Sequence, residues 1–437
     1  MKTLTRVLKQ VRLEVEPTPQ EESRVRSLSK SLLSKTRAAA ALHPETRGVL
    51  LGGSLAKGTW LPQNVDIDIY VKIDPSTTEE RFEQVGLEVG RTATRGHARG
   101  KKYAQHPYTE AIVDGVRVNV VPCFDVRKGE WKSAADRSPY HVSLIRRLPA
   151  KVKAEVKVLK RFMKAAGVYG AEIEIRGFSG YAAEVLVYKH GSFERVLKSF
   201  ATIKPQDPKK LFVLPDPVDK KRDLGIAVSG EKLGVMVMAS REFLRHPEAA
   251  QFEPMNRKKR SGLADDVVAL TFSHPPLSED TLWGEIRKTM KHVVRHLEVS
   301  GFHVARAMGA SDNARKSAIL LLPEFRELPH LEQRIGPTVD RSRDVSAFIS
   351  SNRKEANLLW VDDDARVRLV RRRKYIRVTD LLEHLMAGEA GSFGASKDLE
   401  SSLKKTGRVL QGPGLRKAAA ASPWLESGIN ELLTNAF

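Results

Sequence analysis

The sequence predicts a multidomain α+β protein, and chain length, hydrophobic patterning and composition each contribute to that prediction. The chain has 437 residues, which at roughly 150 residues per domain is enough for about three domains. Short buried strands alternate with helices in the first third, whereas helical patterns dominate after residue 140. A content of 41% hydrophobic and 29% charged residues is typical of folded proteins and excludes disorder, collagen and coiled coil for the chain as a whole.

An excess of basic residues predicts a polyanionic partner. The chain contains 74 Lys and Arg against 53 Asp and Glu, a formal net charge of +21. Because this charge is spread along the chain and not gathered on one amphipathic helix, nucleic acid is favoured over a membrane surface. No apolar run reaches about 18 residues and the N-terminal segment lacks a secretory pattern, so we expect a cytoplasmic protein with no membrane partner. The single cysteine, Cys123, excludes an internal disulfide and a cysteine zinc cluster within one chain.

The first 140 residues read as a mixed α+β domain. Thr18 and Glu21 form a capping box ahead of an apolar stripe, which predicts the start of a helix. The predicted elements are a helix at 18–42, a buried strand and glycine turn at 48–54, a helical turn ending near Pro62, strands at 65–73 and 116–124, a basic helical segment between those strands, and a turn at 103–108.

The remaining chain reads as a helical domain followed by a second α+β region. Helices are predicted at 151–166 and 182–197, and further α+β structure at 263–272 and 330–351. Linker candidates are the segments 205–217, 246–262 and 387–396, the last of which precedes a helical tail. We therefore predict domains at 1–140, 141–256 and 257–437.

The sharpest local pattern is the strand Val65-Asp-Ile-Asp-Ile-Tyr-Val71. Residues two apart on a strand share a face, so Asp66 and Asp68 project together while the apolar side chains are buried. Two neighbouring carboxylates repel each other unless a cation lies between them, and hard oxygen ligands suit Mg²⁺. Taken alone, the pattern fits a solvated strand face equally well.

The glycine turn upstream favours the metal interpretation. Gly52-Gly53-Ser54 ends a strand and is followed by Lys57 and Thr59, which together offer backbone N–H groups, hydroxyls and an ammonium to a phosphate. The order Lys57-Gly58-Thr59 differs from that of a P-loop, so a Walker-type NTPase is disfavoured. A phosphate-binding turn just before paired carboxylates is more specific than either feature alone.

These motifs resemble the nucleotidyltransferase superfamily related to DNA polymerase β, and more narrowly the archaeal, class I CCA-adding tRNA nucleotidyltransferases. The resemblance covers most of the chain and is strongest in its first half. The segments that carry it are 53–60, 66–68, 116–123, 136–139, Lys160, 167–170, 176–181 and 216–222, with weaker similarity at 336–337 and 348–352.

The resemblance implies a Mg²⁺-dependent transferase that adds C, C and A to the 3′ end of tRNA from CTP and ATP without a nucleic-acid template. It implies a polymerase-β-like catalytic head at 1–140, a helical domain that recognises the nucleotide base at 141–256, and a body and tail at 257–437 that bind tRNA. The expected partner is tRNA, through its 3′ end and acceptor region. A homodimer is also consistent with the resemblance.

Individual site residues follow from the same resemblance. Asp66 and Asp68 match the paired metal carboxylates, and Ser54 and Lys57 match the triphosphate-binding turn. The family often has arginine where Lys57 stands, a change that keeps the charge but loses a bidentate fork. The remaining matches are His141, Lys160 and Tyr169 as nucleotide contacts and Arg222 as the side chain that reads the base edge.

Asn119 departs from the family pattern, which has a third metal-binding aspartate at this position. An amide offers an oxygen ligand but carries no negative charge and cannot act as a base toward the 3′-hydroxyl. Asp125 lies about 20 Å further along the strand, and Asp114 has the opposite strand parity, so neither is an obvious replacement. Either Asn119 is an introduced, inactivating substitution, or catalysis is naturally weak or lost; the retention of the other site residues favours the first.

A basic stretch in the last third predicts RNA contacts. Arg366 and Arg368 alternate with apolar residues, which indicates a strand that presents arginines to one side. The candidate RNA-binding residues are Arg366, Arg368, Arg371, Arg372, Arg373 and Lys374. Two alternative functions stay open: a poly(A) polymerase-like RNA nucleotidyltransferase that accepts unstructured RNA and only ATP, and a catalytically inactive RNA-binding protein, for which Asn119 is the reason.

Overall fold

A computed structural model describes residues 2–62, 65–103, 105–203, 212–253, 261–388 and 393–434. The chain forms two compact units, Met1–Asn256 and Arg257–Asn435. Each unit contains both helices and sheet, so the multidomain α+β prediction is confirmed. The predicted boundary at 140/141 lies inside the first unit and the one at 256/257 lies outside the described residues; both stay predictions.

The first unit is built around a five-stranded sheet. Its strands are β1 (Thr46–Leu51), β2 (Asp66–Ile73), β3 (Ala98–Tyr103), β4 (Pro107–Val113) and β5 (Val116–Phe124). The spatial order is β1-β2-β5-β4-β3, and only the central β2–β5 pair is parallel within this sheet. This topology inserts the last strand in sequence, β5, into the middle of the sheet.

Helices cover one face of this sheet and leave the other for the site. The covering helices are α2 (Pro19–Ala40) and α4 (Glu79–Ala93). Helix α1 (Lys2–Glu14) packs in the apolar core of the helical part of the same unit, and the short helix α3 (Gly53–Lys57) directly follows the turn after β1. The predicted cap is confirmed, because the Thr18 hydroxyl accepts a hydrogen bond of 3.2 Å from the backbone N–H of Glu21. Ile67, Ile69 and Val71 of β2 are fully buried in the core that α2 and α4 close. The opposite face of β2 therefore carries its two aspartates.

Strands β3 and β4 were not predicted from the sequence, in which their residues read as part of a basic helical segment and a turn. Residues 98–103 carry Arg99, Lys101 and Lys102 on the edge strand β3. An edge strand is more exposed than a central strand. Its sequence therefore need not alternate apolar and polar residues, and the period of two that marks a half-buried strand is missing from β3.

The rest of the first unit is helical around one apolar core. Its helices are α5 (Ser138–Arg146), α6 (Ala150–Ala165), α7 (Gly180–His190), α8 (Phe193–Ala201) and α9 (Gly230–Arg245), with 3₁₀ turns at Ala134–Arg137, Leu224–Ala227 and Ala249–Phe252. The single helix predicted at 182–197 is interrupted, because Gly191 takes a left-handed conformation (φ +83°) and Ser192 caps a new helix. Phe162, Phe193 and Phe243 meet edge to face beneath these helices.

The second unit contains two antiparallel sheets. Its strands are β6 (Val268–Ser273), β7 (Val304–Ser311), β8 (Lys316–Pro323), β9 (Leu331–Thr338), β10 (Leu358–Val361), β11 (Arg366–Arg372) and β12 (Arg408–Gln411), in the orders β12-β6-β8-β7 and β10-β11-β9. Its helices are α10 (Glu279–Val299), α11 (Ser342–Asn352), α12 (Val378–Ala387), α13 (Lys397–Thr406), α14 (Gly412–Ala420) and α15 (Pro423–Leu432), with a 3₁₀ turn at Ser261–Asp266.

The predicted helical tail also contributes a strand, since β12 pairs with β6. The predicted linkers 205–217, 246–262 and 387–396 lie partly outside the described residues. Among the helices that the structure describes, none combines the length and apolar character needed to cross a membrane.

Candidate active site

The parallel pairing of β2 and β5 brings the candidate metal ligands together. Asp66 lies opposite Arg117 in the register, and Asp68 lies opposite Asn119. The Asn119 Nδ2 donates a hydrogen bond of 2.8 Å to Asp68 Oδ1. The Asn119 Oδ1 is buried and has no hydrogen-bond partner within the described part of the chain. The amide at position 119 thus turns its donor to Asp68 and keeps an oxygen available to a ligand.

The electrostatics of this face favour a bound cation. Burial raises the pKa of the Asp68 carboxyl, and the nearby charge of Asp66 raises it further, although the hydrogen bond from Asn119 opposes both effects. The Arg117 Nε lies 3.8 Å from Asp66 Oδ1 and partly balances the charge of that aspartate. A divalent cation between the two aspartates would relieve the same repulsion more directly.

The glycine turn is tied to Asp68 by backbone contacts. The Gly52 N–H donates a hydrogen bond of 2.7 Å to the Asp68 carbonyl, and Gly53 adopts a left-handed φ of +61°. A Cβ atom at Gly53 would stand 1.8 Å from Asp68 Oδ2. Only glycine therefore lets the turn approach the aspartate, and Ser54 and Lys57 follow on the short helix α3.

We expect Gly53→Ala to damage this turn through both strain and overlap. The left-handed backbone and the displaced Asp68 together should cost about 2–4 kcal/mol in the free energy of unfolding, measured by urea denaturation. Gly96→Ala is the matched control, because Gly96 also has a positive φ (+87°) but nothing lies within 4 Å of its would-be Cβ. Equal losses in the two variants would contradict the close approach to Asp68.

A buried charge cluster joins the turn to the helical part of the same unit. The Lys57 Nζ and the Lys160 Nζ each donate a hydrogen bond of 2.8 Å to the Glu184 carboxylate. The Thr59 hydroxyl donates to the same carboxylate at 2.6 Å. All four side chains are buried. Two ammonium groups around one carboxylate leave one net positive charge, which suits a phosphate.

Glu184 is ionised in this cluster. Burial alone would raise the pKa of its carboxyl, but the charges of Lys160 and Lys57 lower it to about 2. The sequence analysis did not select Glu184, although a lone acid within the apolar run Ala182-Ala-Glu-Val-Leu-Val187 was a usable sign of a buried charged partner.

His141 and Arg222 meet at a second buried carboxylate that the sequence analysis also left out, Asp216. The His141 ring lies with Nε2 3.0 Å from Asp216 Oδ2, and the Tyr181 hydroxyl donates to Oδ1 at 2.9 Å. The Arg222 guanidinium lies 3.5 Å from the same carboxylate and remains 43% exposed. Burial lowers the pKa of His141, and the hydrogen bond to Asp216 opposes this effect.

Aromatic rings connect the two carboxylate clusters. The Tyr181 ring stacks on His141 at a centroid distance of 3.7 Å, and the Lys57 ammonium lies 5.0 Å from the Tyr181 centroid. A Cβ at Gly180 would stand 2.6 Å from the Tyr169 hydroxyl and 3.8 Å from the Lys160 side chain, so Tyr169 lies beside the first cluster. The predicted nucleotide contacts therefore share one region of the first unit.

A separate group of possible metal ligands lies away from the face of the sheet that carries Asp66 and Asp68. Glu79 and Glu83 of α4 and His106 bring their ligand atoms within 4.8 Å of one another. Helix α4 packs against the covered side of the sheet, away from the face that carries Asp66 and Asp68. The sequence analysis did not identify this group, because nothing in the spacing of these residues predicts their contact.

The basic strand predicted to contact RNA is β11 with the residues that follow it. Arg368 pairs with Asp362, and Arg371 and Arg373 both pair with Glu332. The other three candidates, Arg366, Arg372 and Lys374, are exposed. Half of the predicted cations thus already have acidic partners within their own unit.

Models of three protein families match successive parts of the chain. They are a nucleotidyltransferase domain at residues 35–141, the second domain of tRNA nucleotidyltransferase at 154–253, and the C-terminal domain of CCA-adding enzyme at 264–412. The first match spans the sheet with Asp66, Asp68 and Asn119, and the second spans Lys160, Tyr169 and Arg222.

Three relatives match most or nearly all of the chain. A CCA-adding enzyme of Methanopyrus kandleri is 32% identical, over 99% of this chain and 97% of that protein. A CCA-adding enzyme of Pyrobaculum neutrophilum is 34% identical over 89% of this chain and 95% of that protein, and one of Halorubrum lacusprofundi is 32% identical over 92% and 93%.

Proposed function

The chain belongs to the family of CCA-adding enzymes, and on this basis we propose that it adds C, C and A to the 3′ end of tRNA, using CTP and ATP and no nucleic-acid template. The family membership confirms the resemblance that the sequence motifs indicated, including the nucleotidyltransferase head. The observation that carries the proposal is the parallel β2–β5 register, which sets Asp66, Asp68 and residue 119 on one open face beside the glycine turn.

The residues on this face fit a divalent cation, and we propose Mg²⁺. Asp66 and Asp68 offer carboxylate oxygens, and the buried Asn119 Oδ1, which has no partner in the described part of the chain, adds a neutral oxygen. Oxygen ligands of this kind, completed by water and substrate phosphates, are what Mg²⁺ prefers. When bound, such ions supply positive charge at the attacking and departing oxygens of phosphoryl transfer.

The reaction itself exchanges one phosphorus–oxygen bond for another. The 3′-oxygen of the tRNA bonds to the α-phosphorus of the nucleotide, the bond from that phosphorus to the bridging oxygen breaks, pyrophosphate leaves, and the hydroxyl proton passes to solvent. Ser54 and the Lys57–Lys160–Glu184 cluster, with its one net positive charge, hold the triphosphate. They act by positioning and charge, which is most of what this chemistry requires of a protein.

Base recognition falls to the second cluster in this proposal. Asp216 fixes the His141 and Tyr181 side chains, and the half-exposed Arg222 guanidinium beside it is available to a base edge. The exposed Arg366, Arg372 and Lys374 of the second unit would contact the tRNA backbone, while Arg368, Arg371 and Arg373 serve mainly their ion pairs. A cytoplasmic location and a homodimer complete the proposal.

The decisive experiment is extension of a tRNA that lacks its 3′ CCA, resolved to single nucleotides, with Mg²⁺, CTP and ATP. The chain and its Asn119→Asp variant are compared, because a carboxylate at 119 places a negative charge directly opposite Asp68 on the aspartate face. We expect three added nucleotides with the variant, at a rate at least about tenfold above that of the unchanged chain, since ligand charge shapes metal affinity and activity.

Three other results separate the alternatives. Extension of unstructured RNA with ATP alone would indicate a poly(A) polymerase. Addition of C, C and A by both proteins at equal rates would show that an aspartate at 119 is dispensable. No addition by either protein, despite tight tRNA binding, would contradict the proposal and leave an RNA-binding protein without transferase activity.

A further inference from the structure

We propose that Glu110 of β4 supplies the carboxylate that residue 119 lacks, as an additional ligand of the cation bound by Asp66 and Asp68. This inference rests on the proposed function and deepens it. It explains how a chain with asparagine at 119 can retain three negative side chains at its metal site, two from β2 and one from a strand on the far side of β5.

The sheet register places Glu110 next to residue 119. In the antiparallel β4–β5 pair Glu110 lies directly opposite Asn119, and in the parallel β2–β5 pair Asn119 lies opposite Asp68. The neighbouring residues Thr109 and Ala111 of β4 are buried against the core, so Glu110 projects to the open face. Three adjacent strands thus present Asp68, Asn119 and Glu110 in one row across the sheet.

Arg117 shows how close the outer carboxylates come. Its Nε lies 3.8 Å from Asp66 Oδ1 and 3.9 Å from Glu110 Oε2, so these two oxygens are at most 7.7 Å apart, the sum of both distances. Two Mg²⁺ ions separated by about 4 Å, with bonds of about 2 Å to their ligands, span about 8 Å between outer oxygens. The carboxylates of Asp66 and Glu110 therefore lie within the reach of one two-ion site.

The chemistry at 119 and 110 is complementary. Asn119 offers the buried Oδ1, which has no hydrogen-bond partner among the described residues, but no charge. Glu110 offers a charge and a side chain one methylene longer than aspartate. The longer side chain helps to cover the roughly 4.8 Å between neighbouring strands. The Glu110 carboxylate is 25% exposed, and at 3.9 Å from Arg117 it is not fixed by a hydrogen bond to that nitrogen. The Glu110 carboxylate can therefore turn toward an ion without breaking a hydrogen bond to the Arg117 Nε.

The test measures metal binding apart from turnover. Mn²⁺ binding is followed by electron paramagnetic resonance for the full chain with a non-hydrolysable CTP analogue, in the unchanged protein, Glu110→Gln, Asn119→Asp and the double variant. We expect Glu110→Gln to weaken Mn²⁺ binding at least about tenfold, and Asn119→Asp in the same chain to restore it. Asp125→Asn is the control, because that carboxylate follows β5 and pairs with Lys72.

Each outcome decides the inference. Unchanged Mn²⁺ binding in Glu110→Gln overturns it. Weaker binding that Asn119→Asp does not restore also overturns it, because Glu110 would then act only through Arg117. The tRNA extension assay on the same four proteins keeps the two proposals apart: metal binding that follows the expected pattern, with no nucleotide added by any protein, would refute the transferase and leave the metal site standing.

Discussion

Glu184→Gln will lower the free energy of unfolding by about 3–5 kcal/mol, the usual cost of removing one partner from a buried ion pair. Glutamine keeps the shape of the side chain but leaves the Lys57 and Lys160 ammonium groups buried with no negative charge. Urea denaturation at pH 7 measures the loss. The matched control is Glu194→Gln, since Glu194 pairs with Lys198 on an exposed helix face and should contribute less than about 0.5 kcal/mol.

The stability difference between the unchanged chain and Glu184→Gln should also depend on pH, in a direction set by the pKa of Glu184. The pKa of Glu184 is lowered in the folded state from its usual 4.5 to about 2. The stabilisation from its charge is therefore complete above pH 4.5 and declines as the pH falls toward 2. The difference in unfolding free energy between the unchanged chain and Glu184→Gln should shrink across that interval. A difference that is small at pH 7, or constant down to pH 2, would contradict the ion cluster.

Asp68→Asn will reduce the rate of nucleotide addition about 10³-fold or more, while the fold remains intact. In the proposed mechanism, loss of the Asp68 carboxylate removes a metal ligand and with it several kcal/mol of charge stabilisation from the transition state. Stability should not fall, because burial and the neighbouring Asp66 already disfavour the charge on Asp68, and an amide can still accept the hydrogen bond from Asn119. Single-turnover extension of tRNA and a thermal melt measure the two effects.

Asp114→Asn is the control for this substitution. Asp114 lies in the turn between β4 and β5 with a φ of +49°, a conformation that asparagine tolerates well, and its carboxylate is outside the row on the open face. We expect its rate of addition to stay within about twofold of the unchanged chain. If both variants lost activity equally, the effect would come from the sheet and not from the ligand at position 68.

The sequence was most informative where side-chain periodicity and function coincide. The period of two in β2 predicted both the strand and the shared direction of Asp66 and Asp68, and β5 was predicted with its observed bounds. The glycine turn was predicted from Gly52-Gly53-Ser54 at the end of a short buried strand, and its position beside Asp68 follows from the short connection between them. Such local patterns can be predicted from the sequence because few backbone conformations are compatible with them.

The acidic residues that contact or lie opposite the predicted site residues could not be predicted from local sequence patterns. Glu184 is 127 residues from Lys57, and Asp216 is 75 residues from His141, so no local pattern links them. Glu110 was overlooked because its strand was not recognised, and a strand that is missed hides the residue it places opposite Asn119. The contacts of Glu184 and Asp216 are long-range, so they depend on helix packing and chain topology more than on spacing along the chain.

The insertion of β5 between β2 and β4 also determines when the site can form. The β4–β5 pair closes through a short turn, but Asp68 and Asn119 are 51 residues apart and meet only after β5 has entered between its two neighbours. Closing that larger loop is the slower, entropically costlier event. Asp68 and Asn119 are therefore expected to meet late in folding, and a nascent chain that ends before residue 124 contains both aspartates but lacks the complete strand that sets Asn119 beside Asp68.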